Sequence, residues 1–362
     1  MSRILIAGYY GYYNSGDDAI LTSICEDITG LDKGHAITIL SNSPEATQRE
    51  YGYPAVNRFN LPSVLKALKQ TDILIMGGGS LLQDKTSSRS LWYYLFLIGM
   101  AKRMGKKCML YANGIGPVRK PFNKMLTRWI ANKIDIITLR EHLSLKPLEG
   151  MKVSKPKIIV TADPVFNLEL PPGKPVDEIF AKEGVDRGKP YVTVMFRSWE
   201  HEEHYTRVMA KVCDQIVERY NYNILFVPMK YPSDLIVSME VMKKMKHRSY
   251  VLQDRYEIQD IIGVIARSEL VLAMRLHALL YAATQNVPMI GFNYDPKVRY
   301  YVQEMGMHLV EDLHRCTVQD ILREVAQIFD QYDGIKEQLR QKVEVLKAMA
   351  EKNRTYLEEL LS

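Results

Sequence analysis

The chain has 362 residues, of which 47% are apolar and 25% are charged, and these are the proportions of an ordinary soluble globular protein. They exclude a disordered chain, a collagen-like repeat and a disulfide-rich miniprotein, and the length predicts two domains of about 100–200 residues each. The 48 Lys and Arg exceed the 42 Asp and Glu, giving a formal net charge of +6. This mild excess suits an anionic substrate or surface, and without a basic stripe it does not indicate nucleic acid.

The four cysteines stand alone, with no Cys-x-x-Cys pair, which is typical of a reduced intracellular protein and gives no zinc-site signal. The chain starts directly with a strand pattern rather than a signal peptide. The most apolar later run, residues 91–104, is too short to span a bilayer. These features predict a cytoplasmic protein.

In the first half, short continuous apolar runs alternate with helix-length segments, a pattern typical of parallel strands that are buried on both faces. The predicted strands are residues 3–8, 36–40, 72–76, 107–111, 135–139 and 157–161. The predicted helices include residues 17–28, 62–69, 90–104 and 120–132. This order predicts a doubly wound α/β sheet.

A Pro-, Gly- and Lys-rich segment, residues 170–190, predicts a linker, and the strand–helix pattern then starts again. The predicted strands are residues 191–196, 223–228, 249–253, 269–273 and 288–292, with helices over 207–220, 257–266 and 277–285. The expected organisation is two Rossmann-like domains, residues 1–175 and 176–335, and a helix over 336–362 that packs back on the body. Ligands of such sheets bind at the carboxyl ends of strands, so we expect the active site in the interdomain cleft.

A glycine-rich turn follows the first predicted strand and does not have the G-x-G-x-x-G spacing of dinucleotide-binding loops. Its candidate substrate-binding residues are Asn14, Ser15, Gly16, Asp17 and Asp18. A turn that only caps a helix explains them as well as a loop that contacts a hydroxyl-rich substrate.

Two further glycine turns follow the third and fourth predicted strands. Their candidate binding residues are Gly78, Gly79 and Ser80 in one turn and Gly114 and Gly116 in the other. One such turn is often only a crowded corner. Three at successive strand ends favour a ligand site, because the ends of neighbouring strands converge in space.

Four titratable residues follow strands at the same predicted edge: Arg140 in the first domain, and Arg275, His277 and Lys297 in the second. Arginine binds carboxylate or phosphate bidentately, lysine offers a point charge, and histidine transfers protons near neutral pH. A lone arginine is usually an ion-pair partner, and a lone histidine usually belongs to the core. The shared strand-end position nevertheless favours a functional site.

The His-Glu-Glu-His run at residues 201–204 has the spacing of metal ligands but lacks a clear third ligand. A polar loop is expected there, and no metal site is predicted.

Several motifs together resemble the polysaccharide pyruvyl transferase family. They are NSGDDAIL from Asn14, the GGGS and GIGP turns, the LRE segment, ADP at residues 162–164, and above all RLHA with the downstream YDPK. The resemblance starts at residue 3 and covers nearly the whole two-domain body, and it is greatest to the branch that pyruvylates secondary cell-wall polysaccharide for S-layer anchoring. This chain has Asn113 where the family usually carries Gln.

The resemblance implies a GT-B-like architecture, phosphoenolpyruvate as the co-substrate, and no cofactor or metal. It also implies a lipid-linked disaccharide acceptor that ends in N-acetylmannosamine, a product ketal across O4 and O6, and release of phosphate. Arg275, Lys297 and Arg140 would then surround the donor anion. His277 would protonate the methylene carbon, and Asp17 or Asp18 would orient the acceptor hydroxyl or act as its base.

Two other functions stay open. A nucleotide-sugar glycosyltransferase of the same architecture often holds the ribose with an acidic residue, and residues 275–292 contain none. A non-catalytic sugar- or nucleotide-binding protein would not need the Arg, His and Lys set.

A lipid-linked acceptor would also place the protein at the inner face of the membrane. The candidate contact residues are Trp92, Tyr93, Tyr94 and Phe96 with the basic run after residue 101, and Arg119, Lys120, Lys124 and Arg128. An ordinary core helix with a basic end is the favoured interpretation of residues 91–104.

Overall fold

The computed structural model describes residues 1–31, 34–85, 87–169, 172–200 and 202–362. Their contacts divide the chain into two compact units. The first consists of Met1–Leu168 and Leu346–Ser362, and the second of Glu169–Val345. The first boundary therefore falls at residue 168 rather than 175. One reason is that the backbone N–H of Lys174 donates to Asp260 of the second unit at 2.7 Å.

The described part of the first unit contains a seven-stranded sheet in the order β3-β2-β1-β4-β5-β6-β7, with every neighbouring pair parallel. The strands are β1 (Arg3–Ala7), β2 (Ala36–Ser41), β3 (Ala55–Asn57), β4 (Ile73–Gly77), β5 (Lys107–Asn113), β6 (Ile136–Leu139) and β7 (Lys157–Val160). The helices are α1 (Ser15–Thr29), α2 (Pro44–Tyr51), α3 (Leu61–Gln70), α4 (Ser88–Arg103), α5 (Pro121–Ala131) and α6 (Leu145–Gly150). Successive residues of a strand point to opposite faces, and Leu5 and Ile6 are both fully buried. Both faces of this sheet are therefore covered.

Among its described residues, the second unit contains a six-stranded parallel sheet in the order β10-β9-β8-β11-β12-β13. Its strands are β8 (Tyr191–Met195), β9 (Asn223–Phe226), β10 (Tyr250–Val251), β11 (Leu270–Ala273), β12 (Met289–Phe292) and β13 (His308–Val310). Its helices are α7 (Val176–Glu183), α8 (Glu202–Tyr220), α9 (Ser233–Met242), α10 (Ile258–Ala266), α11 (Leu276–Thr284), α12 (Pro296–Glu304), α13 (Val318–Asp330) and the start of α14 (Tyr332–Leu361). The predicted class, two Rossmann-like α/β sheets, is confirmed.

The segment predicted as a linker is partly helical. Val176, Ile179 and Phe180 are buried at helical spacing on α7, so apolar packing orders a stretch that its prolines and glycines marked as irregular. Two residues of the predicted linker, Leu170 and Pro171, lie outside the described residues.

The last turns of α14 pack on the first unit. The side chain of Asn353 is fully buried; it accepts a hydrogen bond from Thr161 Oγ1 at 2.8 Å and donates one to the carbonyl of Ala162 at 3.0 Å. The helix thus lies against the end of β7. Among the helices of the described residues, none combines the length and apolar character needed to cross a bilayer.

Candidate functional site

In the first unit, the turn after β1 leads into α1, which carries two carboxylates in its first turn and places that of Asp17 against the next glycine turn. Asn14 is the N-cap of α1, and its side-chain amide donates to the carboxylate of Asp17. Asp17 and Asp18 lie in the first turn of α1 and are each 8% exposed. The positive end of the helix dipole favours negative charge at this position. A Cβ on Gly79 would lie 3.3 Å from Asp17 Oδ1.

The glycine turns after β4 and β5 pack backbone against backbone. Gly78 and Gly79 have φ values of +100° and +31°, which glycine adopts far more readily than other residues. The N–H of Gly114 donates to the carbonyl of Gly79 at 2.9 Å, and a Cβ on Gly114 would lie only 2.7 Å from Ser80 Oγ. Likewise, a Cβ on Gly116 would meet the side chain of Gln83 at 2.4 Å. The three predicted turns therefore converge, as expected for neighbouring strand ends.

Arg140 follows β6 and is paired with two carboxylates. Its Nε lies 3.0 Å from Glu141 Oε2 and its Nη1 2.8 Å from Asp163 Oδ2, and all three side chains are at most 2% exposed. Glu141 Oε1 in turn accepts from Ser144 Oγ at 2.5 Å. The charge of Arg140 is thus already matched, so its part in donor binding stays a prediction that these contacts do not favour.

In the second unit, Arg275 follows β11 and forms a bidentate ion pair with Asp234, the second residue of α9. Nε and Nη2 of the arginine lie 2.5 and 2.6 Å from the two carboxylate oxygens, and the aspartate is 1% exposed. The carboxylate also accepts backbone N–H bonds from Met229 and Lys230, at 3.3 and 3.1 Å. The guanidinium is therefore held in one orientation, and its bonds to Asp234 use two of its five N–H donors.

His277 and Lys297 occupy matching places on neighbouring elements. His277 is the second residue of α11, is partly buried and has a buried Nε2 atom. Lys297 is the second residue of α12, is also partly buried, and donates its backbone N–H to Asp295 Oδ1 at 3.1 Å. Because β11 and β12 are adjacent, Arg275, His277 and Lys297 follow neighbouring strand ends, as the sequence predicts.

The predicted site omits a cation that follows the central strand β8. Arg197 lies just after β8, and its Nη1 is 3.4 Å from the hydroxyl of Tyr294. Its guanidinium carbon lies 5.0 Å from the Tyr294 ring centroid and 5.4 Å from that of Trp199. A signal was present, because Arg197 stands in the same relation to its strand as Arg275 does.

The two strand edges differ in charge. Within five residues of the ends of β8, β9, β11 and β12, the sequence places Arg197, Lys230, Arg275 and Lys297 against Glu200 and Asp295. Asp234 adds a third carboxylate through its pair with Arg275. The corresponding edge of the first unit carries Arg58 and Arg140 against Glu141 and Asp163, with Asp17 beside the glycine turn after β4. Cations suit a carboxylate or phosphate, whereas carboxylates accept hydrogen bonds from hydroxyls.

Within the described residues, no group of His, Cys, Asp and Glu side chains is arranged to hold a metal. The run at residues 201–204 is only partly covered, since His201 lies outside the described residues.

Most of the residues described above lie in a stretch that matches a known protein family. The family model for polysaccharide pyruvyl transferases matches residues 14–296, which include the glycine turns, Arg275 and His277. The chain is 22% identical over 407 residues to the amylovoran biosynthesis protein AmsJ of Erwinia amylovora, covering 94% of this chain and 95% of that protein.

Two solved structures illustrate the fold. UDP-GlcNAc 2-epimerase from Neisseria meningitidis superimposes with a TM-score of 0.68 at 10% identity, covering 100% of this chain and 99% of that one. A glycosyltransferase from Rickettsia africae gives 0.65 at 14% identity, with the same coverage. At these identities the likeness shows the fold alone, and it agrees with the GT-B-like α/β class predicted from the sequence.

Proposed function

The chain belongs to the polysaccharide pyruvyl transferase family, and we propose that it transfers pyruvyl from phosphoenolpyruvate to a sugar of a lipid-linked cell-wall polysaccharide precursor. The family makes it a transferase that acts on polysaccharide. The donor, the acceptor and the ketal product are the proposal, and the similarity to an amylovoran biosynthesis protein supports a polysaccharide acceptor.

The observation that carries the proposal is the cation-rich strand edge of the second unit. Phosphoenolpyruvate brings a carboxylate and a phosphate, so its site needs several fixed cations. Arg275, oriented by the buried carboxylate of Asp234, offers a preorganised guanidinium, and Lys297 follows the adjacent strand. Arg197, just after β8, adds a further cation beside two aromatic rings.

We assign the proton transfer to His277. Protonation of the methylene carbon of phosphoenolpyruvate leaves positive charge at C2, and one sugar hydroxyl forms a C–O bond there while its proton passes to a base. The C–O bond to phosphate then breaks, and a second hydroxyl closes the ketal and loses its proton. A histidine suits this step because imidazole side chains act as general acids and bases in proteins.

We assign the acceptor to the carboxylate-rich edge of the first unit. Asp17 lies at the glycine turn after β4, and Asp18 follows it in the first turn of α1. A carboxylate there would accept the proton of a sugar hydroxyl. The acceptor we propose is a disaccharide ending in N-acetylmannosamine, with the ketal across O4 and O6, as in S-layer anchoring. Reaction on a lipid-linked acceptor would take place at the cytoplasmic face of the membrane.

The test is mass spectrometry of a synthetic lipid-linked disaccharide after incubation with the protein and phosphoenolpyruvate. We expect the acceptor to gain one pyruvyl ketal and an equal amount of phosphate to be released. The matched control replaces phosphoenolpyruvate with nucleotide sugars. Release of a nucleoside diphosphate with glycosylated acceptor would instead favour the glycosyltransferase alternative, and no turnover of either donor would favour a binding protein.

A further inference from the structure

Helix α5 exposes its apolar stripe instead of burying it. Phe122, Met125 and Trp129 recur at helical spacing and are 57%, 60% and 62% exposed. The buried face of the same helix contains Asn123, Thr127, Ile130 and Ala131. An amphipathic helix normally turns its large apolar residues inward, so this reversal indicates that something outside the chain covers the stripe.

The stripe continues onto α4 and the start of α3. The rings of Trp92 and Phe122 meet edge to face at 6.3 Å, and Phe96 is 38% exposed. Phe59 and Leu61, 66% and 50% exposed, extend it further. We call the seven residues the aromatic face: Phe59, Leu61, Trp92, Phe96, Phe122, Met125 and Trp129.

The inner side of α4 packs in the core, which is the favoured interpretation of residues 91–104 from the sequence. Leu91, Leu95 and Ile98 are fully buried, as in a core helix. Tyr94 is 2% exposed and so belongs to the core rather than to a membrane contact.

A groove of about 400 Å³ opens within the aromatic face, lined by Phe59, Leu61, Trp92 and Phe96 together with Arg58 and Arg89. Arg58 is 6% exposed and its Nη1 donates to the carbonyl of Gly8 at 2.7 Å. Its guanidinium lies 4.7 Å from the Tyr93 ring centroid, and no carboxylate of the described residues pairs with it. A buried cation without a counterion on an apolar groove favours an occupant that is apolar with an anionic end.

The charge around the aromatic face is mainly positive, with Asp84 bonded at the start of α5. Residues 85–134 contain eleven Lys and Arg and no Asp or Glu, although the whole chain carries only +6. Arg89, Lys124 and Arg128 are exposed, and within the described ranges none of them forms an ion pair. The ammonium of Lys133 lies 3.6 Å from the Trp129 ring centroid.

We propose that the aromatic face is a docking surface for an anionic lipid bilayer. Exposed Trp and Phe enter the headgroup boundary, and Lys and Arg bind lipid phosphates. The groove beside Arg58 would receive the acyl chain of a lipid whose headgroup phosphate contacts Arg58 and Arg89. The inference rests on the proposed function in one respect: a lipid-linked acceptor gives the enzyme a reason to work at a membrane.

The experiment is flotation of the full chain, without substrates, with vesicles of phosphatidylcholine alone or with 30% phosphatidylglycerol. We expect flotation only with the anionic vesicles, and a steep loss as salt rises because surface charges are screened. The variant Phe122→Ser/Met125→Ser/Trp129→Ser and the variant Lys124→Glu/Arg128→Glu should each lower the vesicle affinity at least tenfold.

The matched controls lie in the second unit. Ile236 and Met239 are 56% and 46% exposed, so Ile236→Ser/Met239→Ser removes exposed apolar area elsewhere. Lys211→Glu/Lys342→Glu changes the net charge by the same amount as the basic-site variant. Both controls should float like the wild type.

Absence of flotation with anionic vesicles, or equal losses in the controls, would overturn the proposal. If RNA abolishes flotation of the wild type and additional anionic vesicles do not restore it, the face is assigned to nucleic acid. That result would also overturn the proposal. Pyruvyl transfer to a detergent-free, water-soluble acceptor is measured separately, so failure of the proposed function is distinguishable from failure of docking.

Discussion

Arg275 and Asp234 form a bidentate ion pair, at 2.5 and 2.6 Å, between elements that are not neighbours in the sheet. Arg275 follows β11 and Asp234 begins the helix after β9, while β8 lies between those two strands. The pair therefore fixes an arginine across the end of the central strand. In the proposed function Asp234 is a positioning residue, because it acts on the donor through Arg275.

The first prediction concerns this pair. Asp234→Asn keeps the size of the side chain and removes the charge, so we expect a loss of about 2–3 kcal/mol in transition-state stabilisation, a roughly 30- to 150-fold lower kcat/KM for phosphoenolpyruvate. Calorimetry of donor binding should show most of that loss in affinity. The control Asp177→Asn breaks an exposed pair with Arg267 at 3.0 Å. It should lower the free energy of unfolding by about 0–1 kcal/mol and leave kcat/KM unchanged. Unchanged donor affinity in Asp234→Asn, with intact folding by circular dichroism, would refute the positioning role.

The second prediction concerns His277. His277→Gln keeps a polar side chain but cannot deliver a proton, so turnover should fall by about 10²–10⁴ while phosphoenolpyruvate still binds within a few-fold of wild type. Phosphate release is measured with saturating acceptor, and donor binding by calorimetry. The control is His314→Gln, an exposed histidine. Wild-type turnover in His277→Gln would remove it as the acid.

The third prediction separates the two carboxylates at the start of α1. If Asp17 is the base for the acceptor hydroxyl, Asp17→Asn lowers kcat at saturating acceptor by about 10²-fold or more and leaves donor affinity unchanged. Asp18→Asn then has the smaller effect on kcat. The reverse order would assign the base to Asp18, and equal small effects would show that neither acts as base.

The fourth prediction tests the close approach of the glycine turns. A Cβ on Gly114 would lie 2.7 Å from Ser80 Oγ and 2.8 Å from Glu141 Oε1, so Gly114→Ala should destabilise the first unit by about 1–3 kcal/mol. Gly150→Ala is the control, because nothing lies within 4 Å of its added Cβ. Urea unfolding is followed by tryptophan fluorescence in a Trp199→Phe background, where both remaining tryptophans, Trp92 and Trp129, lie in the first unit. Equal midpoints for the two variants would contradict the packing argument.

The fifth prediction is a pH dependence of stability from Asp27. Burial raises the pKa of this carboxyl from 3.8 to about 6, against the opposing hydrogen bond from Tyr111 and with help from the charge of Glu351. Because the folded-state pKa is the higher one, the folded state binds the proton more tightly, and stability falls as pH rises from about 4 to 6. Asp27→Asn resembles the protonated acid and should be more stable than wild type by up to about 3 kcal/mol at pH 7, and by less than about 1 kcal/mol near pH 4. The measurement is urea unfolding across pH 4–7 in the Trp199→Phe background. A stability difference that does not change with pH would exclude this pKa shift.

Local sequence predicts much of this fold because each buried parallel strand is a continuous apolar run. The runs at residues 72–76 and 269–273 match β4 and β11 within one residue at each end. The edge strands β3 and β13 have three residues each, too few to show a period. Helix α7 was not predicted because prolines and glycines surround it, although its buried residues have helical spacing.

The sequence by itself determined the order of strands and helices and the strand-end positions of Arg275, His277 and Lys297, because those depend on residues close together in the chain. Only the tertiary structure decided what these side chains meet. It paired Arg140 with Asp163, joined Arg275 to Asp234, and turned the apolar stripe of α5 outward. The two ion pairs join residues that are tens of positions apart in the chain. They depend on the order of the strands in each sheet, and packing between distant residues sets that order rather than any local sequence pattern.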